Sequence, residues 1–250
     1  MNIVVPMKQI PDLQQLRIRN RKPVFDDVPL TFGKIDKNAL EAAVQLKEIH
    51  GGEVIAVSVG NEDVEETIKE AAAAGADRSY LVAEDDALNL ESSDAAQVLA
   101  AVIKKIDDVG LIIFSEGSGD NYSGQVGSRV AAILDLPQVG SVTEITINGS
   151  AVQVVKSLED RIEVLEVQMP AVIVIAGDMN EPRLPSVTQV LKAGKKPKEI
   201  IELDDLDIKI KGNTIETLSN LAPEMNRKRI KVKTISEIIE VIKTEGLMGR

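Results

Sequence analysis

Up to Leu134 the chain alternates short aliphatic runs with segments of helical period, and this alternation constrains the fold more than any other feature. Ile3–Val5 reads as a buried strand. Asp36–Ile49 reads as a helix, because Leu40, Ala43, Val44 and Leu46 recur at helical spacing with charges between them. Gly51 and Gly52 stop it. Glu53–Val59 is a strand ended by Gly60, Val64–Ala74 a helix closed by Gly75, and Ser79–Val82 a strand. Ser92–Lys105 is a helix with Ser93 as its expected N-cap, Leu111–Phe114 a strand, and Ser123–Leu134 a helix. Such a β-α-β-α-β-α-β-α order predicts a parallel sheet with right-handed crossovers and flanking helices. Hydrophobic residues make up 44% of the 250 residues but aromatics only 2%, so the core must be built from Val, Ile, Leu and Ala. That suits strands buried on both faces.

The pattern changes after Gly140. Glu144–Ile147, Ala151–Ser157 and Arg161–Gln168 alternate apolar and polar residues, and Asn148-Gly149 is a hairpin turn signal. A small β-meander within residues 141–176 is expected, closing with a buried strand at Ala171–Ala176. Gly177–Pro197 reads as loop, becoming basic at Lys192, Lys195 and Lys196. Beyond it the chain is charged and loosely patterned, with an isolated helix at Ser236–Lys243. The expected organisation is an α/β domain over residues 1–197 and an extended C-terminal arm over 198–250 that packs on another surface.

Several function classes are disfavoured. A net charge of −11 repels a phosphate backbone, and the scarcity of aromatics leaves few platforms for stacked bases, so no nucleic-acid partner is expected. The absence of Cys excludes disulfides, thiolate metal sites and a Cys nucleophile. The single His50 excludes a multi-His metal site; at a helix end before Gly51 it reads as a solvated residue. No apolar run approaches the roughly 20 residues that span a bilayer, and Met1–Pro6 is too short for a signal peptide. A soluble, cytoplasmic protein without membrane insertion is expected.

Open parallel sheets bind ligands beyond the carboxyl ends of their strands. Here those ends carry Pro6-Met7-Lys8, Ser58-Val59-Gly60 and the run Ser115–Gly127, SEGSGDNYSGQVG. In that run Gly117, Gly119 and Gly124 permit close backbone approach to a ligand. Ser118, Ser123 and the amides of the following helix can hold phosphate oxygens, and Asp120 and Asn121 can bond sugar hydroxyls or base edges. The run is neither a Walker A motif nor a GxGxxG fingerprint, and an ordinary Gly/Ser-rich loop is the alternative reading.

Five blocks, in order, resemble the β subunits of electron transfer flavoproteins. Ser-x-Gly-Ser-x-Asp-x-Tyr-x-x-Gln-Val-Gly, continuing to Leu136-Pro137-Gln138, resembles their adenine-nucleotide loop. Val4–Lys8 with Pro11-Asp12 resembles the family's start, and Asp36–Lys47 its second nucleotide-contacting stretch. Val54–Gly60 with Ala73–Asp77 resembles the next strand and helix. Pro170–Val172, Asn180–Ser186 and Lys192–Pro197 resemble the partner-recognition loop and basic end. The Gly-Ser-x-Asp-x-Tyr loop is most similar to the Fix-type branch. The resemblance implies an adenine-nucleotide α-hydrolase-like α/β fold in a heterodimer whose α subunit carries the redox FAD and exchanges electrons with dehydrogenases or a quinone oxidoreductase. It implies an electron-transfer subunit, not an enzyme in itself.

By the same resemblance the nucleotide is lined by Pro6, by Gly33, Lys34, Ile35 and Asp36, by Val59, and by Ser115, Glu116, Gly117, Ser118, Gly119, Asp120, Asn121, Tyr122, Ser123, Gly124, Gln125 and Val126. Partner recognition falls on Ser186, Val187, Lys192, Lys195 and Lys196, with Val187 standing for the family's recognition-loop Leu. Ordinary members hold AMP in this site and bifurcating members a second FAD. Val126 replaces the Thr of AMP-type members, so FAD is the expected ligand and AMP the alternative. A stand-alone nucleotide-binding module and an ATP-dependent hydrolase or ligase are the competing classes. The first would end near residues 140–160, and the second lacks a phosphate-gripping Lys motif and a catalytic His or Cys.

Overall fold

A computed structural model of the chain describes residues 1–61, 63–84, 90–212, 214–224 and 228–246. Its centre is a nine-stranded sheet made of β1 (Asn2–Pro6), β6 (Glu53–Gly60), β7 (Arg78–Ala83), β8 (Val109–Ser115), β9 (Gln138–Asn148), β10 (Ala151–Ser157), β11 (Ile162–Gln168), β12 (Ala171–Ile175) and β13 (Lys198–Glu202). Their order is β11-β10-β9-β12-β8-β1-β6-β7-β13. Pairing is parallel from β9 through to β13, while β9, β10 and β11 form the antiparallel meander. Two small hairpins lie between β1 and the first helix: β2 (Gln9–Pro11) with β5 (Leu30–Phe32), and β3 (Arg17–Arg19) with β4 (Lys22–Val24).

The period-2 alternation of the strands decides which layer each side chain joins. Ile3, Val5, Val54, Ala56, Leu111, Ile113 and Ile173 pack on α1 (Lys34–His50) and α2 (Val64–Ala74). Val4, Ile55, Val57, Ile112 and Val172 face the other way, against α3 (Ser92–Ile103) and α4 (Val126–Leu134). Each of these Val, Leu and Ile side chains is essentially inaccessible to water, and burial of one stabilises by about 1.5–3 kcal/mol. No helix among the described residues is long and apolar enough to cross a membrane.

Four local expectations are corrected. Ser93 lies inside α3, whose N-cap is Glu91. The helix expected from Ser123 begins at Val126, because the preceding loop passes through left-handed conformations at Tyr122 (φ 47°) and Gly124 (φ 64°) that a helix cannot contain. The loop expected at Gly177–Pro197 contains α5 (Val187–Ala193), nucleated by a capping box between Ser186 and Gln189. The arm does not begin at residue 198: Lys198–Glu202 is the edge strand β13, parallel to β7. Ile201 and Leu206 are buried, Ile208 and Ile210 pack on the second core, and the amides of Thr214 and Ile215 donate to Glu91. The alternation of these apolar residues with charges made the segment read as thin-cored.

The chain divides into two compact units, Met1–Arg17 with Phe25–Leu218, and Ile18–Val24 with Ser219–Arg250. In the second, Arg21 donates to the Ala222 carbonyl and pairs with Glu224 at 2.6 Å. Thr234 caps α6 (Ile235–Thr244), which leaves Ile235, Ile238 and Ile239 exposed. Residues 213, 225–227 and 247–250 of the expected arm lie outside the described residues.

Candidate functional site

From β1 the chain proceeds outward through β6 and β7, then returns to β8 on the opposite side of β1. Strand order therefore reverses between β1 and β8, and the crevice beyond their carboxyl ends is the place where such sheets bind ligands. Pro6 ends β1 and Ser115 ends β8. Between them stands Asp36, in the first turn of α1 and buried. Its Oδ1 accepts from Ser115 Oγ at 2.5 Å, and its Oδ2 accepts from the Lys8 amide at 3.1 Å. Burial pushes this carboxyl up to about 6, against the opposing pull of those two hydrogen bonds and the Lys8 charge.

Lys8 closes the crevice from above. Its Nζ pairs with Asp120 Oδ2 at 2.6 Å, joining the exit of β1 to the loop after β8. Burial raises the Asp120 carboxyl, but the hydrogen bonds from Lys8 and Ser118 outweigh it and hold the group below its ordinary value. Gly119 lies under the first hairpin: a Cβ there would sit 2.8 Å from Ile10 Cδ1 and 3.4 Å from Leu13 Cδ1. Gly33, the N-cap of α1, faces the same spot, its virtual Cβ 3.7 Å from the Gly119 amide. At the start of the loop, Glu116 accepts from the Gly177 amide at 3.0 Å. The Gln125 side-chain oxygen takes Arg129 Nη2 at 2.8 Å and the Ser92 hydroxyl at 3.3 Å. Because Gln125 makes no side-chain cap, it leaves open the first-turn amides of α4, which have no intrahelical partners.

The second predicted cluster begins at the end of β12. Asn38 and Asn180 exchange side-chain-to-backbone hydrogen bonds, the one from Asn180 Nδ2 to the Asn38 carbonyl being 3.0 Å. Arg183 forks between Glu41 (Nε to Oε2, 2.7 Å) and Glu48 (Nη1 to Oε1, 2.6 Å) of α1, and these two carboxylates push its guanidinium further up. The chain then turns outward. Leu184 is 93% exposed, and Val187, Val190 and Leu191 project from α5 beside exposed Lys192 and Lys195. Lys196 differs from its neighbours. Its Nζ donates to the Ala72 and Ala76 carbonyls at 2.8 and 2.6 Å, terminating α2, and burial lowers its pKa. Partner recognition was expected of it together with Lys192 and Lys195; its ammonium is instead engaged as a helix cap.

A family model described as the electron transfer flavoprotein domain matches residues 24–206, a span that contains both clusters apart from the β1 exit. The chain belongs to the electron transfer flavoprotein family. It is similar to the electron transfer flavoprotein subunit beta of Bacillus subtilis, with 35% identity over 210 residues, 83% of this chain and 81% of that one. The corresponding subunit of Thermoanaerobacterium thermosaccharolyticum is 32% identical over 235 residues, 91% and 90% of the two chains. The caffeyl-CoA reductase-Etf complex subunit CarD of Acetobacterium woodii is 33% identical over 211 residues, 83% and 80%.

Within this electron transfer flavoprotein fold, Pro6, Gly33, Asp36, Ser115, Gly119 and Asp120 converge on the switch point. Val59 is the penultimate residue of the next strand, β6, with its side chain against the second core. Lys34 and the residues from Asn121 to Gln125 are exposed, and Ile35 is half-buried beside Gly177. Val126 packs against the second core, so its side chain turns away from the loop's open side. The sequence reading missed Lys8 and Ile10 as members of the site. The signal available was Lys8 standing two residues past a strand end. It also missed Leu184, whose exposure exceeds that of Val187 (76%).

Proposed function

We propose that this chain is the β subunit of a heterodimeric electron transfer flavoprotein and that it binds an adenine nucleotide at the β1–β8 switch point. The observation that carries the reading is the convergence of Asp36, Ser115, Lys8 and Asp120 under a Gly-rich loop at the one crevice where the topology favours a ligand. The residues present fit a nucleotide. The loop amides and the open first turn of α4 are phosphate donors, Lys8 and Arg129 supply positive charge, and Asp120 is held ionised next to possible hydroxyl donors.

The finer reading is FAD in this site, with a second FAD on the α subunit. It is favoured by the likeness of the Ser115–Gly127 loop to the Fix-type branch of the family. Val126 no longer argues for it, since its side chain is spent on core packing. When bound, FAD supplies the redox chemistry. The chain's own residues bind the adenosine end and hold the loop. The arm of the second unit, with Ile235, Ile238 and Ile239 open on α6, is the proposed seat of the α subunit. Leu184, Val187 and Leu191, rimmed by Lys192 and Lys195, are the proposed dock for a dehydrogenase or quinone oxidoreductase. The test is stoichiometry. The purified α/β complex, freed of excess flavin, should release two FAD. One FAD and one AMP would make it a one-flavin carrier, and no adenine nucleotide beyond the α-subunit FAD would remove the site.

A further inference from the structure

The ligand loop and the docking loop meet at one side chain. Glu116, the first residue past β8, accepts a hydrogen bond from the backbone amide of Gly177, the second residue past β12, at 3.0 Å. Six residues further along the ligand loop, the Tyr122 ring lies over the neighbouring Gly117, where a Cβ would sit 3.0 Å from Tyr122 Cδ2. Approach at Gly177 is close: a Cβ there would lie 3.2 Å from Glu116 Oε1 and 3.5 Å from Ile35 Cγ1. From Gly177 the docking loop is fastened at every third residue. Asn180 is held by Asn38 and Arg183 by Glu41 and Glu48, and the unsupported Leu184 comes next.

These ties differ in kind. The last two end on α1, whose inner face is locked into the first core by Ala39, Leu40, Ala43 and Val44. The tie through Glu116 ends on the ligand loop itself, which is exposed from Asp120 to Gln125 and is held in a left-handed conformation at Tyr122. A ligand that orders this loop fixes the Tyr122 ring against Gly117 and, with it, the adjoining Glu116 that holds the Gly177 amide.

We propose that Glu116 is a positioning residue that couples nucleotide occupancy of the switch point to the order of the docking loop at residues 177–186. Nucleotide binding fixes Tyr122 against Gly117, the adjoining Glu116 then holds the Gly177 amide, and the turn that presents Leu184 is held with it. Coupling of this kind is reciprocal, so a partner docked on Leu184 tightens nucleotide binding by the same factor. This proposal rests on the nucleotide reading above and adds to it a route from that site to the docking surface.

The experiment is hydrogen exchange on the full-length chain in complex with its α subunit, stripped of nucleotide and titrated with AMP and, separately, with FAD. Binding is read independently by calorimetry. With either ligand bound, amides in residues 177–186 should exchange about fivefold more slowly, the lower end of ordinary coupling between sites. Glu116→Ala, held at a ligand concentration that calorimetry shows to saturate it, should lose this slowing. Glu116→Gln keeps an acceptor for the Gly177 amide and should retain it, which a merely structural loss would not reproduce. Slowing that persists in Glu116→Ala, or its absence in the parent chain with ligand bound, overturns the coupling and leaves the nucleotide reading standing. If neither ligand binds this chain, the nucleotide reading fails and the coupling with it.

Discussion

The switch point and the α5 shoulder invert each other. At the first, a carboxylate is buried: Asp36 is 3% exposed, within a core of aliphatic side chains. At the second, aliphatic side chains are in water: Leu184, Val187 and Leu191 stand open while the polar residues behind them, Asn38 and Glu41, are buried. Both arrangements cost stability, one through desolvation of charge and the other through unburied apolar surface. A scattering of exposed apolar residues is ordinary, but a cluster following a turn fastened by Asn180 and Arg183 is not. The contrast is what the two proposed roles require: a small polar ligand at the first site and another macromolecule at the second. α1 joins them, since its first turn carries Asp36 and its buried face carries Asn38 and Glu41.

The contrast breaks most completely at Gly119. Gly119→Val adds branched carbon where a Cβ already lies 2.8 Å from Ile10. Overpacking of this kind costs about 1–3 kcal/mol and pushes the hairpin off the loop. Nucleotide content of the purified complex should fall to background; unchanged content would move the site elsewhere. Next in size is Arg183→Leu, which leaves Glu41 buried without its main partner. Breaking a buried pair costs about 3–5 kcal/mol, and roughly 2 kcal/mol is expected here because Gln45 still donates to Glu41 and Arg183 is 29% exposed. A denaturant midpoint unchanged by Arg183→Leu would show that the docking turn is held by other means.

Asp36→Asn separates binding from stability. The folded chain raises this carboxyl from 3.8 to about 6, so it binds the proton more tightly than the unfolded chain does. Its contribution is fully present below about pH 4 and is lost as pH rises through about 6. At pH 7 the ionised group costs on the order of 3 kcal/mol. Asp36→Asn should therefore raise the thermal midpoint of the nucleotide-free protein at pH 7 and flatten its decline between pH 4 and 6, while weakening nucleotide retention. A lower midpoint at pH 7 would mean that the bonds from Ser115 and Lys8 are worth more than the desolvation they offset. The smallest effect on stability is expected from Leu184→Ala, within about 0.5 kcal/mol as for other open positions. Electron transfer to the protein's redox partner should nevertheless slow severalfold. An unchanged rate would return that patch to the background of exposed apolar residues.

Much of this molecule was legible beforehand, and for a local reason. β1, β6, β7 and β8 and the helices between them announce themselves because side-chain period is a property of neighbours in sequence, whereas the three-residue strands β2 to β5 are too short to show one and were not read. The meander was visible from alternation around Asn148-Gly149, and the ligand loop from glycines after a strand. What was missed has the opposite character. α5 is a helix of 7 residues, too short to show a period, and only its Ser186–Gln189 box marks it. β13 became a strand because β7 offered it an unpaired edge.

The sequence by itself determined the class of fold, the position of the Gly-rich loop after a strand and the family, because propensity, periodicity and a run of motif residues act over a few positions at a time. Only the tertiary structure decided which residues meet. Lys8 reaches Asp36 across 28 positions and Asp120 across 112, a convergence produced by the reversal of strand order at β1. It also decided that Val126 belongs to the core, that Lys196 caps α2 and that Leu184 stands open. Burial is set by what the crossovers lay against a residue, and no local pattern specifies that.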